Sequence, residues 1–289
     1  MTYSIIGRDP QRGELGIAVQ SKFPGVGSIV AHASAGAGAI TTQAFANPDH
    51  GHHGLELLER GASAEETLAI LLRNDPQRDQ RQLAVMTHQG AAGAHTGAEV
   101  QRWDGWSGSA VGGDAVASGN TLAGESVVTA MVDAFESASG EIARRLLQAL
   151  AAGRDAGGEL RGQQSAALLV VKPGGGYGGR DGRHVDVSVY DHPEPIEELA
   201  RCYELHRLSY FPSNDADLAP IDAAIAAELK AILAAAGFRS LPPGALWDEA
   251  CITAMARFMG VENYDNRIRD DALIDLEVLA DLRRRHDGR

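Results

Sequence analysis

Two stretches of this 289-residue chain bring chemically capable side chains together at short spacing. The first is the start, MTYSIIGRD. Removal of Met1 gives Thr2 a free α-amine beside its own hydroxyl, and such amines titrate at about 7.7–8.0. A neutral amine takes the hydroxyl proton, directly or through a water, while the oxygen attacks a carbonyl carbon. Nucleophile and base then sit in one residue. That chemistry needs a rigid strand beginning at the nucleophile, with cations and backbone N–H donors close by to hold the amine neutral and receive the oxyanion. The second stretch is NPDHGHHG, which packs Asp49, His50, His52 and His53 into five residues. Imidazoles and a carboxylate so close are transition-metal ligand types, yet no zinc spacing fits, neither i,i+4 on a helix nor the longer loops. The expectation is a histidine-bearing surface loop. A place on the substrate rim and a metal-dependent hydrolase at His50–His53 are the alternatives.

These residues need elements to position them. Thr2–Gly7 and ELGIAVQS (Glu14–Ser21) read as a hairpin around Asp9-Pro10 and Gly13. SIVAHASAGAGAITTQA (Ser28–Ala44) reads as two short strands of small side chains. HGLELLERG gives one or two helical turns, and SAEETLAILLRND opens with a capping box, Ser63 and Glu66, over a stripe of Leu68, Leu71 and Leu72. QLAVMTH and AAGAHTG are strands; helices follow over 124–137 and 141–152, then strands over 164–171 and 184–190, and a helix from Pro193 to about Tyr210. His95, Trp103 and Trp106 read as packing or rim residues. The order is not the strict alternation of a doubly wound sheet and suits two antiparallel sheets covered by helices. PGGGYGGRDGR is a hairpin loop and not a phosphate cradle, because no helix follows it. At FPSNDADLAP (Phe211–Pro220) a polar linker hands over to helical patterns over 221–233, 246–260 and 271–286.

The totals narrow the function classes. With 26 Lys+Arg against 39 Asp+Glu, the formal net charge of −13 argues against a phosphate-backbone binder and against an anionic membrane surface. Hydrophobic content of 44% is enough for a full core. Cys202 and Cys251 match no metal or redox spacing and read as reduced thiols. No apolar run is long enough to span a bilayer, and Arg8 and Asp9 interrupt any secretory signal, so the expected location is cytoplasmic.

The segments MTYSIIGRDPQRGELGIAVQSKFPGVG, GAGAITTQAFANPDHGHHGLELLERG, SGNTLAG, RGQQSAALLVV and VDVSVYDHPEPIEEL carry a dense resemblance, over roughly residues 1–210, to the bacterial and archaeal domain-of-unknown-function family 1028. Its members look like N-terminal-nucleophile hydrolases. The resemblance implies an α+β fold, a four-layer αββα sandwich of two facing antiparallel sheets with helices outside, and hydrolysis of a small amide, ureido or peptide-like bond without a cofactor or metal. On it Thr2 is the nucleophile, Lys22 the cation that tunes the amine, and Ser21 a polar partner. Asn120 supplies an oxyanion donor, the alternative being a left-handed turn residue beside Gly119. Gln43, Asn47, His50 and His53 form the substrate-binding rim. The expected domains are 1–212 and 217–289, with a homodimer as the default assembly.

IAAELKAILAAAGFRSLPPGALWDEACITAMARFMGVENYDNR and DLEVLADLRR resemble a small peptidoglycan-binding domain family. The implied module is three helices with Leu229, Ile232, Leu233, Trp247, Ile252, Phe258 and Leu276 in its core, and Glu262, Asn263 and Tyr264 facing a glycan or peptide. Peptidoglycan-fragment-like substrates are then the expected small-molecule partners. The competing reading is a catalytically silent binding or scaffold protein that keeps the hydrolase fold.

Overall fold

The computed structural model describes residues 2–238, 241 and 246–286, with the backbone alone at Tyr177. Met1 lies outside the described residues. The chain is α+β and divides into two compact units, Met1–Cys202 and Tyr203–Arg289.

The first unit opens with β1 (Thr2–Asp9), β2 (Glu14–Ser21), the helical turn α1 (Gly27–Val30), β3 (Ala31–Ser34) and β4 (Gly38–Ala44). Then come α2 (Pro48–Glu59), α3 (Ala64–Arg73), β5 (Arg81–Thr87), β6 (Ala92–Thr96), β7 (Trp106–Val111) and β8 (Ala115–Leu122). It continues through α4 (Ser126–Ser137), α5 (Ile142–Asp155), β9 (Ser165–Val171) and β10 (Arg183–Val189) into α6 (Pro195–Tyr210), within which the division of the units falls. Two antiparallel sheets result, ordered β10-β9-β2-β1-β8-β7 and β3-β4-β5-β6.

Strand alternation sorts the side chains. On the six-stranded sheet Ile6, Leu15, Ile17, Val116, Leu169 and Val171 share one core with Ala39, Ala84 and Met86 of the four-stranded sheet. The opposite parity of β1 faces the helices, where Gly7 leaves room for the Phe135 ring; a Cβ there would lie 2.4 Å from its Cζ. α4 and α5 pack on β1, β2 and β8. The other face of the four-stranded sheet, Ile40, Leu83 and Val85, meets Leu58, Ala64 and Leu68 from α2 and α3.

α3 starts with the expected capping box, Glu66 N–H donating to Ser63 Oγ (3.1 Å) and Ser63 N–H to Glu66 Oε2 (2.9 Å). The histidine stretch is not a loop. Asn47 caps α2 by accepting from Asp49 N–H (3.2 Å), Pro48 takes the first helical position, and all three histidines lie within the helix. Gly51 and Gly54 set how close α2 comes to β3 and β4, since a Cβ would lie 2.2 Å from the His32 ring and 2.2 Å from Ile40 Cδ1 respectively. Gly→Ala inside a helix ordinarily gains about 0.5–1 kcal/mol. Gly54→Ala is expected to reverse that sign and lose about 1–3 kcal/mol by overpacking, read as a lower denaturant midpoint at unchanged m-value.

In the second unit β11 (Leu218–Pro220), inside the expected linker, pairs with β12 (Leu273–Asp275), and α7 (Ala223–Ala235), α8 (Glu249–Val261) and α9 (Leu276–His286) supply the helices. Leu229, Leu233, Phe258, Val278 and Leu282 build its core, with Trp247 packed at the margin. Ile252 is only half-buried. Leu276 is 45% exposed because it opens the first turn of α9. Tyr264 does not face outward: it is 1% exposed and its hydroxyl donates to Asp281, while Asn263 (φ 63°) ends α8 in the left-handed conformation. Glu262 pairs with Arg285 at 2.7 Å. No helix among the described residues is long and apolar enough to cross a membrane.

Candidate active site

β1 is central, so its first residue sits between two neighbours. Thr2 stands opposite Ser21 in β2, and Tyr3 opposite Gly119 in β8. By parity Thr2 and Ser4 continue the face that carries Ile6, toward the other sheet. The space between the sheets therefore changes character along the strands, from apolar at Ile6, Ile17 and Met86 to polar at Thr2, Ser4, Ser21, Thr41, Gln43, Gln82, Ser118 and Asn120.

At the polar end Thr2 Oγ1 lies 3.0 Å from Ser21 Oγ. Ser4 Oγ donates to Gln43 Oε1 (2.7 Å), and Gln43 Nε2 donates to Gln82 Oε1 (2.8 Å). Asn120 Nδ2 donates to the same Gln82 oxygen (2.8 Å). Gln82 Nε2 in turn donates to Gly119 O (2.8 Å) and Thr96 Oγ1 (2.9 Å). One glutamine thus ties β4, β6 and β8 together across the inter-sheet space. Around it Thr41 Oγ1, Ser118 Oγ and Asn120 Oδ1 are buried with no hydrogen-bond partner among the described residues. Buried polar groups are normally paired, so this end holds unspent hydrogen-bonding capacity.

Backbone strain marks the same place. Ala44 (φ 69°) directly follows Gln43, and Thr121 (φ 56°) directly follows Asn120. A left-handed β-branched residue is an outlier, and such residues gather at functional sites. Asn120 itself lies in β8, and the left-handed position belongs to its neighbour.

Lys22 follows Ser21 with the opposite parity and is exposed; its ammonium donates to Gln163 O (3.1 Å). No bond among the described residues joins it to Thr2. Its backbone N–H instead donates to Glu159 Oε2 (3.1 Å), a carboxylate with a fully buried side chain that also accepts from Arg161 Nε (2.8 Å). Glu159 begins a strap whose Leu160 N–H donates to Thr121 O and whose Gln164 N–H donates to Ser21 O, both at 3.0 Å. The strap therefore runs from the end of β8 to the end of β2, past the start of β1 between them. Ser4, Gln82 and Glu159 were not singled out from sequence. Gln82 had a signal, being the polar member of the inward set Gln82, Ala84, Met86.

The rim residues divide differently. Successive helical residues are about 100° apart, so His50 and His53 share a side of α2 while His52 turns away to meet His32 edge-on, ring centroids 5.1 Å apart. Among the described residues no group of three ligand side chains is placed to hold a metal ion, and His52 faces away from His50 and His53. Asn47, His50 and His53 line a cleft of about 510 Å³ between α2 and α3, on the outer side of the four-stranded sheet. His50 Nε2 lies 3.4 Å from Asp75 Oδ2, and Arg81 Nε donates to that oxygen at 2.7 Å. Burial lowers the His50 pKa more than Asp75 raises it. For Asp75, burial alone acts upward, but hydrogen bonds from Arg81 and the Gln77 N–H outweigh it and hold the carboxyl below its usual range.

A histidine depressed in the folded state contributes stability that is complete above its unfolded value of 6.5 and is lost as pH falls through the folded one. Asp75 acts with the same sign at lower pH. His50→Gln is therefore expected to flatten the decline in urea midpoint between about pH 7.5 and 5.5, leaving the steeper loss in the carboxylate range. An unchanged slope would show that another group, such as the likewise depressed His32, carries it.

A crystal structure of a protein from Silicibacter pomeroyi matches this chain with a TM-score of 0.66 and 32% identity, over 73% of this chain and 88% of that one. No curated protein matches. Residues 210–282 match a family model described as "Putative peptidoglycan binding domain". With residues 2–199 matching its model, the chain belongs to the family of unknown function DUF1028.

Proposed function

We propose that the first unit is an N-terminal-nucleophile amidohydrolase that cleaves a small amide, ureido or peptide-like bond. The observation that carries this reading is the position of Thr2: first residue of a central strand, hydroxyl 3.0 Å from Ser21 Oγ, beside a buried amide network in which Thr41 Oγ1, Ser118 Oγ and Asn120 Oδ1 have no partner among the described residues. Two facing sheets with helices on their outer sides agree with the four-layer αββα arrangement of such hydrolases. Once Met1 is removed, the Thr2 amine takes the Oγ1 proton, directly or relayed through Ser21 Oγ. Oγ1 then adds to the substrate carbonyl. The second hydrogen on Asn120 Nδ2, the first being held by Gln82, is available to the oxyanion. Collapse of the adduct breaks the C–N bond, the protonated amine of Thr2 gives its proton to the leaving nitrogen, and water hydrolyses the ester left on Oγ1. The family description of the second unit makes a peptidoglycan-fragment-like molecule the favoured substrate class.

The test is an intact mass spectrum after exposure to a β-lactone, which acylates activated N-terminal threonine. Loss of Met1 with one adduct mapping to Thr2 is expected. Retained Met1 and no adduct would overturn the reading. A second reading, a binding protein that keeps the fold without the reaction, is favoured by the burial of Thr2, which is only 5% exposed; the same spectrum decides between them.

A further inference from the structure

The cleft between α2 and α3 is separate from the Thr2 network. β5 divides them: Gln82, Ala84 and Met86 face the other sheet, whereas Leu83 and Val85 face the helices and Arg81 reaches Asp75. Asp49, His53, Glu56 and Arg60 follow one another at steps of four, three and four along α2, a single stripe of the helix, and all four are exposed on the cleft wall. Asp49, Glu56 and Arg60 have no ion-pair partner among the described residues. Ile70 and Leu71 of α3 form an apolar wall opposite.

The histidine behind this stripe is unusual. His50 lines the cleft yet is 5% exposed, and its Nδ1 is buried with no partner among the described residues. Its Nε2 lies 3.4 Å from Asp75 Oδ2, an ionic contact and not a hydrogen bond, so Asp75 does not fix the ring's tautomer. Burial lowers the ring's pKa against the upward pull of Asp75. The Asp75–Arg81 pair behind it, both partners no more than 7% exposed, is an expensive arrangement for a merely structural corner.

The charges are laid out in order. Carboxylates stand at the start of α2 (Asp49) and one turn before its end (Glu56), and the Arg60 guanidinium follows at its C-cap. Eleven residues of helix rise separate Asp49 from Arg60, roughly 16 Å. Helical side chains lean toward the N-terminus, so Arg60 shortens the gap to roughly 10 Å, the length of about three extended residues. We propose that this cleft binds a short peptide or peptide-like zwitterion of about three residues, its ammonium end at Asp49 beside His50, its carboxylate at Arg60, and an apolar side chain against Ile70 and Leu71. The assignment does not depend on Thr2 being catalytic, and a protein that fails to react with the β-lactone still tests it.

The experiment titrates the full chain, carrying Thr2→Ala so that no probe is consumed, with the tripeptide Ala-Leu-Ala while the histidine ring resonances are followed by NMR. Saturable shifts of His50 and His53 are expected. N-acetylation and C-amidation of the probe are each expected to weaken binding about fivefold, the scale of one partly exposed ionic contact. Arg60→Gln, an exposed change that leaves the fold intact, is expected to weaken the free acid about fivefold and the C-terminal amide not at all. No saturable shift up to about 10 mM would overturn the proposal. So would equal binding of the doubly capped peptide, or indifference of the free acid to Arg60→Gln.

Discussion

Thr2→Ala is expected to abolish β-lactone labelling and to lower hydrolysis of any accepted amide by about a thousandfold or more, the usual scale for losing a nucleophile whose surroundings remain. The folded state should barely notice. The substitution removes one hydroxyl contact, to Ser21, worth about 1 kcal/mol. Thr2→Ser keeps Oγ and is expected to keep labelling, which separates chemistry from packing. Circular dichroism unchanged with labelling lost is the expected pair of results. Labelling that persists in Thr2→Ala would place the reactive group elsewhere.

The second large effect is on stability. Gln82→Leu is close in size to the native side chain, yet it takes the partner from Gln43 Nε2, Asn120 Nδ2 and Gly119 O between the two sheets. Each buried donor or acceptor left unpaired costs about 1–3 kcal/mol. The sum, allowing for relaxation, is about 4 kcal/mol, or a fall in melting temperature of roughly 10 °C for a unit of this size. Calorimetry on the full chain reads it directly. A loss under about 1 kcal/mol would mean that the apolar half of the inter-sheet space alone holds the two sheets in register.

Much of this arrangement was legible in the chain. The hairpin of β1 and β2, the capped α3, the apolar β9 and the separate helical unit follow from alternation, capping chemistry and a change of composition. β7 and β8 were not visible. WSGSAV and AVASGNTL are rich in serine, glycine and alanine, which have weak strand preference, and β8 is a strand because it pairs on both sides, with β1 and β7. That omission hid the setting of Asn120. α2 was read short for the opposite reason. Asn47 and Pro48 are ordinary start signals, but Gly51 and Gly54 depress the helical preference, and their need becomes plain only beside His32 and Ile40. At the site, Thr2, Ser21, Gln43 and Asn120 were within reach of motif reasoning. Gln82, which joins two of them, had only its parity with Ala84 and Met86 as a signal, because a polar residue at a strand start looks like an end of burial until the facing sheet is known. Lys22 failed as a partner of Thr2 through parity alone.

The central place of β1 also bears on synthesis. Its hairpin partner, β2, follows within a dozen residues, but its other neighbour, β8, begins only at Ala115. At ribosomal speed the interval between the two is on the order of ten seconds. Through that interval one flank of β1 is an open edge, and the strap from Glu159 that passes its first residue has yet to be translated. The polar surroundings of Thr2 therefore close only late in synthesis, once β8 and the strap have been made.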